Sequence, residues 1–272
     1  SPVLDGALLA FATRLKIMAH SAGTVRPYVS EELWRRGIVV TSAAATIAVD
    51  VAQFTVALAV LGRKNVMEIS PQTNAGKWGK EMASLRPDDL RGCTVGIVAA
   101  SHVGRCVMSL LKHYDVKVLL HDPFVTTEEA AGFGAELAGL DDVFRLSDVV
   151  SIHAPALPAT KNMVNAERLA MMKDGATFIN TSRGSLVDEA ALVSELKKKR
   201  IWAFLDVTDP EPPPSSSPLY GCPNLTLTPH MAGSSGRGRK RLGALAAEEL
   251  RRFFAGEPPL FRVTPDMLDR LA

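Results

Sequence analysis

Along the chain, short runs of apolar residues alternate with segments in which apolar residues recur three and four positions apart. The first pattern is that of buried strands and the second that of helices with one apolar face. In the opening stretch this predicts a helix over residues 4–13, a strand over 15–19, a turn at Ala22-Gly23, a short helix over 30–36 and a strand over 38–41. A long apolar helix is expected over 47–60. Residues 70–80, with Pro71, Asn74 and Gly76, then read as a polar loop crossing into another domain. From Gly92 onward six β-rich runs follow, at 94–99, 116–121, 149–153, 177–180, 202–207 and 225–227. Between them lie helical patterns such as Val103, Val107, Leu110, Leu111 and Ala190, Leu192, Val193, Leu196. Nearly unbroken apolar strands, each followed by a helix, imply an α/β fold with a doubly wound parallel sheet covered on both faces.

Residues 209–218 carry Pro210, Pro212, Pro213, Pro214 and Pro218 with three serines, which excludes a helix or a central strand and requires a loop. A last helix, over 239–254, is expected to stop at Gly256 ahead of Pro258-Pro259. The expected organisation is a large domain over 47–238 and a smaller one made of 1–46 and the returning segment 239–272.

The 272 residues are 47% hydrophobic and 22% charged with a formal net charge of +2, which excludes collagen, a disordered tail and a small disulfide scaffold. That charge is too small to gather nucleic acid or an anionic membrane. The basic runs at 197–200 and at Arg237, Arg239, Lys240 and Arg241 read as solvated surface. Cys93, Cys106 and Cys222 form no C-x-x-C pair, so neither a zinc site nor a disulfide framework is expected, and a reducing cytoplasm fits. No apolar run approaches the ~18 residues of a membrane span, because 47–61 is interrupted by Asp50, Gln53 and Thr55. There is no signal-peptide pattern, and the start at Ser1-Pro2 without methionine leads to the expectation of further residues upstream.

The run 94–99 leads through Ala100-Ser101-His102-Val103-Gly104 into a helix, the strand-turn-helix position at which a pyrophosphate rests on free helix N–H groups. Aligned to G-x-G-x-x-G, the glycine positions hold Ala99, Ser101 and Gly104, so only the last is kept. Asp122 strengthens the reading: it ends the second strand 18 residues after Gly104, where a carboxylate accepts from a ribose diol and repels a 2′-phosphate. NAD is therefore expected rather than NADP. The Ser101 hydroxyl can donate to the phosphate, in partial compensation for the lost glycine.

The ends of the later strands carry Arg183 in NTSRGS, Glu211 in DVTDPEP and His230 in TPHMAG, separated by 28 and 19 residues. With these motifs in order, the chain resembles, nearly end to end, the D-isomer-specific 2-hydroxyacid dehydrogenase family. The resemblance implies a Rossmann-type NAD domain and a smaller flavodoxin-like substrate domain. It further implies that Arg183 holds a substrate carboxylate, that His230 exchanges the proton of the C2 hydroxyl, and that Glu211 bonds the other ring nitrogen and favours the imidazolium. These residue types suit the tasks, since a guanidinium pairs two parallel hydrogen bonds with a carboxylate and imidazole transfers protons near neutrality.

With Ser101 and Gly104 of the fingerprint turn, the same resemblance places His102 and Val103 at the pyrophosphate, Asp122 at the adenosine ribose, and His153, Ala154 and Pro155 along the adenine. Thr181 and Asp206 lie at the nicotinamide carboxamide with 231–233, Gly233 included, nearby. Ser21, Ala22 and Gly23 look like the family's substrate loop, with Thr24 approaching the cofactor. Arg26-Pro27-Tyr28 and Gln53 depart from the family's usual residues. No metal is implied. Only about 45 residues precede the crossover helix, too few for a five-stranded domain at ~5 to 6 residues a strand plus helices, so a reduced or N-terminally incomplete substrate domain is expected.

The function implied is hydride transfer between NAD and the C2 of a small D-2-hydroxy acid or its 2-oxo acid. Formate dehydrogenases fit less well because they pair histidine with glutamine where Glu211 stands. Phosphite dehydrogenase uses a similar Arg, Glu and His set, and a corepressor of the same family would use NAD to assemble. No nucleic-acid motif is present. The segment 47–60 and the loop after it resemble the family's dimer-forming region, so a homodimer is expected.

Overall fold

The computed structural model describes residues 2–80, 85, 87–233 and 235–268, so the end of the returning segment, 269–272, lies outside them. The chain divides into two compact units, Ser1–Asp50 with Gly233–Ala272, and Val51–Ala232. The divisions therefore fall at Asp50/Val51 and Ala232/Gly233, against the expected 46/47 and 238/239.

The first unit contains α1 (Gly6–Phe11), β1 (Ile17–His20), α2 (Glu31–Arg35), β2 (Val39–Ser42), α10 (Arg237–Phe254) and β10 (Arg262–Val263). Asp5 and Ser30 are side-chain N-caps, accepting from the amides of Leu8 and Leu33. The sheet has three strands in the order β1-β2-β10, with β1 parallel and β10 antiparallel to β2. Leu9, Val25, Leu33, Ile38, Val40 and Val263 form its core. The two-residue β10 is too short to show periodicity in the sequence. It is held by Glu249 of α10, which accepts from the amides of Leu260 and Phe261 at 3.0 and 2.8 Å.

The second unit is a seven-stranded, wholly parallel sheet in the order β5-β4-β3-β6-β7-β8-β9. Its strands are β3 (Thr94–Val98), β4 (Lys117–His121), β5 (Glu136–Leu137), β6 (Val149–Ile152), β7 (Thr177–Asn180), β8 (Trp202–Leu205) and β9 (Leu225–Leu227). The six expected strands are all present, and the seventh, β5, is an edge strand of two residues that carries no readable pattern. All residues of β6 and β7 are buried, as a sheet covered on both faces requires. Helices α5 (His102–Leu111), α6 (Thr127–Phe133), α7 (Leu140–Leu146), α8 (Ala166–Met171) and α9 (Glu189–Lys197) connect the strands. In α5 the buried residues are Gly104, Val107, Met108 and Leu111, one face of a helix. The chain order reverses between β3 and β6, the switch point at which ligands bind in doubly wound sheets.

Two expectations are corrected. Residues 66–74, expected in part as a polar loop, form the helix α4 (Val66–Asn74) with Pro71 inside it. A proline there removes one backbone donor, while Gln72 donates to Glu68 at 2.9 Å and supports the turn from the side chains. The apolar helix α3 (Ala44–Arg63) is longer than expected, and with mean hydropathy 1.9 it is long and apolar enough to cross a membrane. The polar residues expected to interrupt it are accommodated by the fold. Asp50 pairs with Arg241 within the first unit, and Thr55 bonds Thr181 within the second. Ala52, Val56, Leu58 and Ala59 pack in the second unit's core.

Candidate active site

Because every strand of the second unit runs the same way, the residues after β3, β4, β6, β7, β8 and β9 gather along one edge of its sheet. The turn after β3 is tight. Ala99 has φ +77°, a conformation better suited to glycine, and its amide donates to the His121 carbonyl at 2.8 Å. Gly104 packs so closely on this turn that a Cβ would stand 2.1 Å from the Ala99 oxygen, which explains why the third fingerprint glycine is kept. Ser101 is the N-cap of α5 and accepts from the Gly104 amide at 3.4 Å, leaving its hydroxyl proton able to donate outward. The first amides of α5, at His102 and Val103, have no intrahelical acceptor. Burial and the charge of Arg105 hold the His102 pKa below its ordinary value.

Asp122 braces this turn. Its Oδ2 accepts from the Ala100 amide and its Oδ1 from the Phe124 amide, both at 2.8 Å. A carboxylate has about four acceptor positions, so each oxygen retains one for a ribose hydroxyl. The donor set after β3 and this carboxylate after β4 therefore fit an adenosine diphosphate with a free ribose diol.

His153, expected along the adenine, is placed differently: its side chain is 0% exposed, with Nε2 3.0 Å from Ser151 Oγ. Its imidazole faces the core and cannot touch a ligand in this conformation. Ala154 is buried and Pro155 half-buried, with the Pro155 carbonyl accepting from Thr160 Oγ1 at 2.6 Å. Thr181 is buried and its hydroxyl lies 3.1 Å from Thr55 Oγ1 on α3. Thr55 is not among the residues the sequence points to, because a pairing across 126 residues leaves no trace in local pattern.

Arg183, Glu211 and His230 are brought together. Asn180 shapes the turn after β7: its Nδ2 donates to the Arg183 carbonyl at 2.8 Å and its Oδ1 accepts from the Ser182 amide at 3.0 Å. The Arg183 Nη1 donates to the Ser182 carbonyl at 2.6 Å, which fixes the direction of the guanidinium. Burial lowers the Arg183 pKa while the negative charge of Glu211 raises it. Gly184 passes directly over the backbone of Thr208, where a Cβ would stand 2.0 Å from the carbonyl carbon. This close crossing lets the Arg183 turn meet the proline-rich loop that carries Glu211. Glu211 Oε1 lies 2.5 Å from His230 Nδ1, and both side chains are about half exposed. With Nδ1 engaged, Nε2 is the nitrogen left for proton exchange with a ligand.

His230 adopts φ +52°. Its amide donates to the Asp206 carbonyl at 2.9 Å. The Asp206 carboxylate, 2% exposed, accepts from Thr228 Oγ1 at 2.5 Å and from the amides of Met231 and Ala232 at 2.9 Å each. Three of its acceptor positions are thereby filled and one on Oδ2 is left, enough for a single N–H of a carboxamide. A cavity of about 370 Å³ lies beside the pair, lined by Thr208, Pro213, Tyr220 and Leu227 among others.

The remaining expected residues lie in the first unit. Ser21 and Ala22 are exposed, Gly23 and Thr24 half-buried. The Ala22 carbonyl accepts from the Ala43 amide at 3.0 Å, and Thr24 Oγ1 from the Arg26 amide at 3.4 Å. Gly233 also belongs to this unit. Among the described residues no group of three or more His, Cys, Asp or Glu could hold a metal ion.

Residues 56–232 match the family described as D-isomer specific 2-hydroxyacid dehydrogenase, NAD binding domain. The chain is 34% identical over 270 residues to a glyoxylate reductase of Thermofilum pendens, covering 97% of this chain and 79% of that one. It is 31% identical over 256 residues to a D-3-phosphoglycerate dehydrogenase of Archaeoglobus fulgidus, covering 94% of this chain and 48% of that one. The chain thus spans about half the length of the phosphoglycerate dehydrogenases it matches. Among solved structures, the TT0316 protein from Thermus thermophilus superposes with TM-score 0.82 at 32% identity, covering 94% of this chain and 81% of that one. A Granulicella formate dehydrogenase does so with TM-score 0.81 at 28% identity, covering 99% and 73%. The chain belongs to the D-isomer-specific 2-hydroxyacid dehydrogenase family, and residues 56–232 are its NAD-binding domain.

Proposed function

We propose that this chain is an oxidoreductase that interconverts a D-2-hydroxy acid and its 2-oxo acid with NAD. The observation that carries the reading is the Glu211–His230 pair at 2.5 Å on the edge that also holds Arg183. NAD supplies the hydride acceptor when bound, and NADH the donor. The N-terminus of α5 with Ser101 would hold the diphosphate, Asp122 the ribose diol, and Asp206 Oδ2 the carboxamide.

The chain's own part in the chemistry follows from three groups. Arg183 pairs its guanidinium with the substrate carboxylate and fixes C2 in position. His230 Nε2 takes the hydroxyl proton as the alcohol is oxidised and returns it to the oxygen as the ketone is reduced. Glu211, accepting from Nδ1, selects the tautomer with a basic Nε2 and stabilises the imidazolium once it has formed. The Asp122 charge disfavours a 2′-phosphate and hence NADP.

Absorbance of NADH against a panel of 2-oxo acids tests the reading, with turnover of at least one expected. NADH binding without turnover of any would favour a sensing role of the corepressor kind. Turnover of phosphite or formate instead would move the chain to another branch. A homodimer is part of the proposal, formed through α3 and the segment after it, where Met67 and Trp78 are exposed. Sedimentation velocity giving a monomer would remove that part.

A further inference from the structure

We propose that Thr228 is a positioning residue, which acts through Asp206 to hold His230 in its working orientation. The inference rests on the proposed reaction and adds to it a residue whose hydroxyl is engaged by Asp206.

His230 sits in the left-handed region at φ +52°, which is unfavourable for a non-glycine residue and persists only where the surroundings impose it. The surroundings here converge on Asp206 and Thr228. The His230 amide donates to the main-chain carbonyls of Asp206 at 2.9 Å and Thr228 at 3.0 Å, and the Asp206 carboxylate accepts from the amides of Met231 and Ala232. Thr228 Oγ1 donates to Oδ1 at 2.5 Å. The Thr228 amide is itself anchored on the Leu205 carbonyl at 3.0 Å, at the end of β8. One side of the His230 turn is thus tied by a hydroxyl and the other by two amides, all to the same buried group.

The Met231 and Ala232 amides hold one carboxylate oxygen each. The Thr228 hydroxyl adds a second donor on Oδ1 and ties the residue two before His230 to the same group, so that both ends of the His230 turn are fastened to it. Two consequences follow from one bond. The turn holds the imidazole where Nδ1 meets Glu211, and the open acceptor position stays on Oδ2. Loss of the hydroxyl should therefore reduce the rate of the chemical step far more than the affinity for the oxo acid, because Arg183 is held by Asn180 and Ser182 instead.

The test compares Thr228→Val, Thr228→Ala and Thr228→Ser with the wild-type chain. With NADH and whichever 2-oxo acid of the panel the wild type reduces, the Val and Ala variants are expected to lose roughly ten- to hundredfold in kcat, the range for a hydrogen bond to a charged group. KM should change by less than about threefold, and Ser should restore kcat. In the protein without cofactor, hydrogen exchange at the amides of Met231 and Ala232 should speed up about tenfold in Val and Ala and stay at the wild-type rate in Ser. Wild-type kcat or unchanged exchange in the Val and Ala variants would overturn the proposal. So would a Ser variant as impaired as they are, or a failure of both Val and Ala to fold while Ser behaves as wild type, since the hydroxyl would then serve stability alone. If the wild type reduces no oxo acid, the proposed reaction fails, and the exchange measurement still reports whether Thr228 holds the turn.

Discussion

The imidazole of His153 meets the hydroxyl of Ser151 at 3.0 Å in a position with no solvent exposure, and its Nδ1 has no partner among the described residues. Burial pushes its pKa from 6.5 down to about 3. The folded protein therefore keeps this group neutral where the unfolded chain would protonate it. Above pH 6.5 neither state holds the proton and the group costs nothing; on acidification the unfolded chain takes it up alone and stability is lost, by about tenfold in the folding constant for each unit down to about pH 3. Urea unfolding at pH 7.5 and pH 5 checks this: His153→Gln should show a weaker acid dependence by one proton. An identical pH dependence in variant and wild type would show that His153 protonates freely in the fold.

The two residues that bound the phosphate turn predict opposite responses to small changes. Gly104→Ala would drive a methyl group to 2.1 Å from the Ala99 oxygen. Backbone lies on both sides of that contact, so α5 must shift away from β3. Loss of more than ~3 kcal/mol of stability, or of NADH binding by fluorescence titration, is expected. Ala99→Gly relieves a φ of +77° and should raise stability by up to ~1 kcal/mol. A lower melting temperature for Ala99→Gly would mean that the Ala99 methyl makes contacts outweighing its strain.

Much of the larger unit is legible in short stretches of sequence. Val149, Val150 and Ile152 announce a buried parallel strand by composition alone, and the order of NTSRGS, DVTDPEP and TPHMAG announces the residues at the ends of β7, β8 and β9. Local chemistry suffices there. It fails for β5 and β10, whose two residues are shorter than any period. It fails for α4, where Pro71 outweighs a helical pairing of Glu68 with Gln72. Thr55 and Thr228 are unreadable as partners for another reason: their hydroxyls matter through Thr181 and Asp206, which only the wound sheet brings near. The resemblance places His153 along the adenine, yet its side chain turns inward.

Substitution of the proposed acid/base and carboxylate anchor should separate chemistry from cofactor binding. If His230 carries the proton as proposed, His230→Gln should lower kcat by ~10²- to 10⁴-fold. Arg183→Lys keeps the charge and loses the planar fork, so kcat/KM for the oxo acid should fall by about 10²-fold or more, chiefly through KM. Neither side chain is part of the α5 or Asp122 contacts, and the NADH dissociation constant should stay within ~3-fold for both. Retention of near-full turnover by His230→Gln would place the proton transfer elsewhere.

In the proposed reading, the choice between the two nicotinamide cofactors turns on the charge of Asp122, which also has a structural task. Asp122 holds the Ala100 and Phe124 amides through its two oxygens, so removing the whole carboxylate would confound selectivity with collapse of the turn. Asp122→Asn keeps a side-chain oxygen for one of those amides, removes the charge, and turns the other contact into two N–H groups facing each other. Stability should therefore fall by roughly 1–3 kcal/mol. Against a 2′-phosphate, the loss of a negative charge works in favour of NADPH, while NADH loses one acceptor for its ribose diol. The ratio of NADPH to NADH dissociation constants, measured on protein still folded at the assay temperature, should drop at least tenfold. A ratio unchanged in a folded variant would mean that Asp122 serves the turn and leaves the ribose to other groups.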